Sequence, residues 1–191
     1  MEPLKGKIVQ LRAIEPGDED LLYKWENDQK IWKVSNTLAP FSRQVLHQYL
    51  EQAHLDIFQA RQLRMVIEVI GSEKPVGLID LFDFDPFHQR AGLGILIGET
   101  SDRGKGFAKD AIKTTLGYAF TILLLNQVYC SIDESNPVSL NLFKSAGFRI
   151  TGNKEKWNRS SSGWTDEWFL QITSDEWLVR DLKEGISNKN E

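Results

Sequence analysis

Apolar and polar positions alternate through Ile8-Val9-Gln10-Leu11-Arg12-Ala13-Ile14, the period of a half-buried strand, and Pro16-Gly17-Asp18 then turns the chain. Leu21, Leu22 and Trp25 follow at helical spacing, with Asp18 placed as N-cap. A second helix, capped by Ser42, carries Val45, Leu46, Tyr49, Leu50 and Ala53. The stretch between them, containing Trp32, Asn36, Thr37 and Pro40, reads as a loop. Arg64 to Ile70 and Val76 to Phe84 are strand-like and flank the polar turn Gly71-Ser72-Glu73-Lys74-Pro75, which predicts a hairpin.

The next apolar run, Leu93-Gly94-Ile95-Leu96-Ile97-Gly98, is short, branched and bounded by glycine, as a buried strand is. Ala108, Ala111, Ile112, Thr115, Ala119, Ile122 and Leu123 then recur every three or four residues and predict a helix from near Gly106. Val128 to Ile132 is a further strand. Asn136 caps a short helix with Pro137 at its first position, and Gly147 ends it. Phe148 to Trp157 and Trp164 to Ile172 flank the polar tip 158–163 as a terminal hairpin, and the tail from Gly185 is polar. No repeat or linker divides the chain. A single α/β domain over residues 1–184 with a polar tail, 185–191, accounts for the pattern.

Composition narrows the class. At 191 residues, 41% hydrophobic and 26% charged, the chain suits one globular domain. No apolar run approaches the roughly 20 residues of a membrane helix, and the first residues lack a basic segment followed by an apolar core. Cys130 stands alone and is compatible with a reducing, cytoplasmic setting. A net charge of -4 argues against general binding to nucleic acid. His47, His54 and Cys130 form no coherent metal-ligating pattern, so no metal is assigned.

The chemistry enters at Asp102-Arg103-Gly104-Lys105-Gly106-Phe107-Ala108-Lys109, between a predicted strand and a predicted helix. The first turn of a helix leaves backbone N–H groups unpaired and carries about half a positive charge, which suits a phosphate. Gly104 and Gly106 let an anion approach the backbone, while Arg103 and Lys105 add charge. The spacing excludes a Walker loop, because Gly106 follows Lys105 and no Gly lies five residues before Gly104. It also departs from the dinucleotide fingerprint, because Lys109 stands where the third glycine belongs. What remains is R-x-x-G-x-A. A strand-to-helix turn that binds nothing, or another nucleotide phosphate, stays open on this loop alone.

This pattern resembles the acyl-CoA loop of the GNAT family of N-acetyltransferases. The later segment N-P-V-S-L-N-L-F-K-S-A-G-F, Asn136 to Phe148, is similar to the family's second anchor, one long helix and one strand downstream. The opening from Leu11, L-R-A-I-E-P-G-D-E-D-L-L-Y-K-W-E-N-D, resembles the branch holding ribosomal-protein N-terminal and spermidine acetyltransferases. The resemblance implies an α/β (α+β) fold with a mixed, mostly antiparallel sheet, splayed central strands and helices on both faces. It implies acetyl-CoA as co-substrate, with Ile95, Leu96 and Ile97 along the pantetheine arm and Arg103, Gly104, Lys105, Gly106, Phe107 and Ala108 around the pyrophosphate. It adds Asn136 and Phe143 as further cofactor contacts.

Acetyl transfer to an amine needs the neutral amine, whose pKa in water is about 10.4 for a lysine-like group, and a proton for the departing thiolate. The tyrosine that commonly serves as acid in the family is Phe143 here, which has no proton to give. The resemblance moves that role to Ser139, one turn earlier; capping or local hydrogen bonding is the competing role for Ser139 and Asn136. Asp83 matches an acidic substrate-site residue and is the first candidate for base. Strand alternation sets Asp80 and Asp83 on opposite faces. Glu68, Glu99, Glu155 and His88 are reserves, and Trp32 is the tryptophan expected at the acceptor pocket.

Two departures bear on the acceptor: Thr37-Leu38 stands where spermidine acetyltransferases carry an acidic pair, and Gly92 where many relatives carry glutamate. The sequence therefore implies an N-acetyltransferase acting on a primary amine of a small molecule, polyamine-like or other, or on a protein N-terminus. A CoA-binding regulatory module without catalysis is the alternative. Neither nucleic acid nor a membrane is expected as partner, and a homo-oligomer is compatible with the chain.

Overall fold

The computed structural model describes residues 2–35, 37–161 and 163–187. Strands β1 (Val9–Ala13), β2 (Leu63–Val69), β3 (Lys74–Asp85), β4 (Arg90–Ile97), β5 (Gln127–Asp133), β6 (Arg149–Ser160) and β7 (Gly163–Thr173) form a seven-stranded sheet. Its order is β1-β2-β3-β4-β5-β7-β6. Every neighbouring pair is antiparallel except β4 and β5.

That exception positions the site. β4 and β5 pair in parallel over only three residue pairs, from Arg90↔Gln127 to Gly92↔Tyr129, and beyond Gly92 their ladder stops. The rest of β4 pairs with β3 on one side alone, so the sheet opens as a V with backbone groups of β4 along one arm. The splayed central strands and mostly antiparallel sheet match the expected fold class.

Helices cover both faces. On one, α5 (Phe107–Thr121) and α6 (Pro137–Ala146) bury Ile112, Leu116 and Phe143 against Leu93, Val128 and Leu170. On the other, α1 (Glu19–Glu26) and α3 (Arg43–Glu51) bury Leu22, Trp25, Leu46 and Leu50 against Val66 and Leu78. Fully burying one such side chain stabilises by about 1.5–3 kcal/mol. Asp110, in the first turn of α5, accepts backbone N–H bonds from Lys7, Ile8 and Val9 at 3.2, 2.8 and 3.0 Å. This carboxylate clamps the entry to β1 onto the N-terminal end of α5.

Several local expectations change. Trp32 lies in a helix, α2 (Gln29–Ser35), rather than a loop, while Asn36 falls outside the described residues. A short α4 (Ile57–Ala60) precedes β2, with the Asp56 carboxylate accepting from the N–H groups of Phe58 and Gln59. Ser42 caps α3 as expected, accepting from the Val45 N–H. Asp18 stands at the start of α1, but its carboxylate is spent on Arg12 and the Glu15 N–H, so it does not cap the helix.

The polar tail does not begin cleanly at Gly185: α7 (Ser174–Ser187) continues through it, with Trp177 packed 5.6 Å from the Phe120 ring. Residues 188–191 lie outside the described residues. The sequence carried a signal for this helix. In Thr173-Ser174-Asp175-Glu176 the Glu176 carboxylate accepts the Thr173 N–H and the Thr173 hydroxyl accepts the Glu176 N–H, a capping box.

Candidate active site

The strand-to-helix turn adopts the geometry its glycines permit. Gly104 and Gly106 have φ of +75° and +87°, and a Cβ built at Gly104 would meet no heavy atom within 4 Å. Gly106 is the N-cap of α5, so the unpaired N–H groups of its first turn face an open surface. Arg103 supplies one cation beside it, donating to the Ile97 carbonyl at 3.4 Å.

Asp102 shapes this loop. Its carboxylate, with 3% of its surface exposed, accepts from Lys74 at 2.7 Å and Lys105 at 2.9 Å. Both ammonium groups hold its pKa below the usual carboxylate value. Lys105 is therefore drawn towards Asp102, while Lys109 lines the adjacent cavity.

That cavity has a volume of about 530 Å3. Ile95, Leu96 and Ile97 form its strand side, Arg103, Gly104, Gly106, Phe107 and Ala108 its loop side, and Asn136 and Ser139 its α6 side. Nine of the expected cofactor residues and the expected acid thus meet in one place. The sequence reading missed Lys30 and Ile31 from α2, together with Lys109, Val138 and Leu142. Of these, Lys109 and Leu142 extend motifs already recognised; Lys30 and Ile31 reach the cavity only through tertiary packing.

Two expected cofactor residues do not line it. Lys105 sits beside it on Asp102, and Phe143 is a core residue, 3% exposed, with its ring 5.1 Å from that of Phe148. Although four residues separate Ser139 and Phe143, the cavity reaches Leu142 and stops short of the deeper ring. Asn136 caps α6 by accepting the Ser139 N–H at 3.1 Å. Among the described residues, no protein group hydrogen-bonds the Ser139 hydroxyl.

The vertex of the V presents a second surface. Register places Phe82 opposite Gly92 and Asp80 opposite Gly94, so these residues share one face of the sheet. A bulge between Phe82 and Asp85, with Asp83 at φ +49°, breaks the expected alternation. The Asp83 carboxylate accepts from the Tyr129 hydroxyl at 3.3 Å, on the face that carries Asp80. Burial, followed by the charge of Asp83, raises the Tyr129 pKa. Asp80 itself is spent: Arg64 and Gln62 donate to it at 2.6 and 2.8 Å, and Arg64 also holds Glu26 at 2.7 Å. Burial lowers the Arg64 pKa, but Asp80 and Glu26 outweigh that and keep it above the usual value.

The reserve bases are otherwise engaged or exposed. Glu68 is buried on Arg12, Glu99 pairs with Lys24, Glu155 is exposed, and His88 contacts Asp85 through Nδ1 at 2.7 Å. Trp32 donates its indole N–H to the Glu26 carbonyl at 2.9 Å and does not line the cofactor-side cavity. Cys130 is 2% exposed, and burial raises its thiol pKa.

A sheet split between two parallel strands, with a glycine turn opening the next helix, is the arrangement of an acyl-CoA-dependent N-acetyltransferase. The chain belongs to the acetyltransferase (GNAT) domain family, matched over residues 9–149. It is 29% identical to spermidine N(1)-acetyltransferase of Vibrio cholerae over 145 residues, covering 76% of this chain and 81% of that protein. Identity to the Escherichia coli K12 protein of the same name is 28%, over 75% of this chain and 74% of that one. The crystal structure of spermidine N-acetyltransferase from Vibrio cholerae in complex with CoA and spermine superimposes with a TM-score of 0.80 at 27% identity, covering 89% and 98% of the two chains. The protein is an N-acetyltransferase that uses acetyl-CoA. Among the described residues no helix is long and apolar enough to cross a membrane.

Proposed function

We propose that the acceptor is the primary amine of a small molecule, bound at the vertex of the V with Asp83 as general base and Ser139 as proton donor to the leaving sulfur. The observation that carries this reading is the placement of Asp83. Among the described residues it has one hydrogen-bond donor, the Tyr129 hydroxyl, and no cation partner, beside the last paired residue of β4.

The cavity residues suit acetyl-CoA in shape and charge. Gly104, Gly106 and the first turn of α5 would hold the pyrophosphate, with Arg103 and Lys109 supplying charge. The open edge of Ile95-Leu96-Ile97 would pair with the amides of the pantetheine arm. Acetyl-CoA, when bound, supplies a thioester whose carbonyl carbon takes the amine nitrogen as the C–S bond breaks and sulfur leaves as thiolate. The Asp83 carboxylate passes one proton of an arriving ammonium to solvent, takes the second as the N–C bond forms and then releases that proton to solvent. The Ser139 hydroxyl gives a proton to the sulfur and recovers one from solvent, so each turnover releases one proton overall. A β4 backbone N–H in the open arm would hydrogen-bond the thioester oxygen.

A polyamine acceptor gains support from the spermidine acetyltransferase relatives. Release of CoA thiol, measured with spermidine, simple monoamines and a peptide with a free N-terminus, tests the proposal. Turnover on small amines is the expected result; turnover on the peptide alone would overturn it.

A further inference from the structure

The face that carries Asp83 has its own character. Phe82, Tyr129 and Phe169 come from β3, β5 and β7, yet their rings touch in series. The Phe82 and Tyr129 centroids are 6.2 Å apart at 80°, and those of Tyr129 and Phe169 are 5.4 Å apart and stacked at 29°. Beneath the Phe82 ring Gly92 and Gly94 carry no side chains. A Cβ at Gly92 would come within 2.4 Å of the Phe82 ring, so no larger residue fits there with the ring in place.

The charges on this face are largely satisfied internally. Arg64 bridges Asp80 and Glu26, one cation shared by two carboxylates. Lys154 pairs with Glu167 at 2.7 Å, and its ammonium lies 5.9 Å from the Phe169 centroid and 5.1 Å from that of the exposed Trp157. Asp133 is saturated by neutral donors: Thr165 at 2.6 Å, Asn158 at 3.1 Å and the Ser135 N–H at 2.8 Å. Asp83 is left to meet an incoming cation. At the far end of the ring lane the Glu167 carboxylate is already taken by Lys154, so a second ammonium of an extended ligand meets no unpaired carboxylate there.

We infer that the acceptor is a singly charged primary amine carried on a ring-sized apolar body, its amine at Asp83 and its ring along Tyr129 and Phe169. This deepens the proposed function and rests on it. Aromatic contact supplies selectivity beyond area burial, and a single carboxylate suits a single ammonium. The geometry favours an arylalkylamine over a polyamine.

The test compares phenethylamine, n-butylamine and spermidine by kcat/KM for CoA release, and by binding to CoA-saturated protein followed through tryptophan fluorescence. Phenethylamine is expected to exceed n-butylamine and spermidine by about tenfold. Phe169→Leu should erase most of the preference over n-butylamine while acetyl-CoA affinity is retained, and Phe169→Tyr should keep it. Lys154→Gln should raise spermidine use several-fold and leave the phenethylamine to n-butylamine ratio in place. Spermidine turned over as well as phenethylamine would overturn the inference and leave the transferase reading standing. Phenethylamine bound preferentially at this face without turnover would support the inference and overturn the proposed catalytic assignment. Absence of both preferential binding and turnover would overturn both.

Discussion

The proposed donor side and the proposed acceptor face of this molecule are built by different means. On the donor side recognition depends on backbone: two glycines at positive φ, the N-terminal turn of α5 and an unpaired edge of β4. On the acceptor face it depends on side chains that sheet register brings together from β3, β5 and β7, with most charges already paired. A backbone cradle needs few residue identities and tolerates variation around it. A side-chain surface changes with each substitution, so acceptor choice can differ from that of a relative while the donor stays the same.

Variants on each side should fail in different ways. Gly106→Glu, which puts bulk and negative charge where the α5 N–H groups converge, is expected to weaken acetyl-CoA binding about 1,000-fold with the fold retained. Calorimetric titration with acetyl-CoA checks this, and unchanged affinity would remove the loop from the donor site. Asp83→Asn should lower kcat/KM for amines about 100-fold, the scale of general base catalysis, with acetyl-CoA affinity unaffected. A parallel loss of cofactor affinity would erase the division between the two sides.

Ser139 lies on the cavity wall and is the proposed proton donor. Ser139→Ala is expected to reduce kcat about tenfold while the Kd for acetyl-CoA changes less than twofold. Equal losses in both would make it a binding residue of the donor side.

The smallest effect lies at the margin of the acceptor face. Burial raises the Asp133 pKa, but donation from Ser135, Thr165 and Asn158 outweighs it and brings the value down to about 2 from an ordinary 3.8. The folded state thus binds this proton less readily than the unfolded chain. Its stabilisation is present above about pH 4 and is lost as pH falls through about 2. Partial exposure reduces it to about 1 kcal/mol. Asp133→Asn should cost that amount at pH 7, with the difference from the parent shrinking towards pH 2 in urea unfolding followed by circular dichroism.

Local features were legible where the physical cause was local. Gly104 and Gly106 announce positive φ, Asn136-Pro137 announces a capped helix start, and Ser42 caps α3 because its own hydroxyl reaches Val45. The Thr173-x-x-Glu176 box at the start of α7 is an equally local signal. The stretch around Trp32 reads as a loop in sequence, whereas packing of Ile31, 4% exposed, goes with a short helix there. Alternation failed at Asp83 because a bulge adds a residue that strand periodicity cannot anticipate.

By itself the sequence determined the seven strands in order, the helices α1, α3, α5 and α6 among them, the glycine turn that opens α5 and the family, since these depend on residues adjacent in the chain. Tertiary structure alone decided that Phe143 belongs to the core, that Asp80 is paired with Arg64 and Asp83 has no cation partner among the described residues, and that Phe82, seated on Gly92 and Gly94, meets Tyr129 and Phe169. Those facts are set by strand register and by competition among neighbouring charges. Both arise only when segments far apart in sequence are brought within a few ångströms.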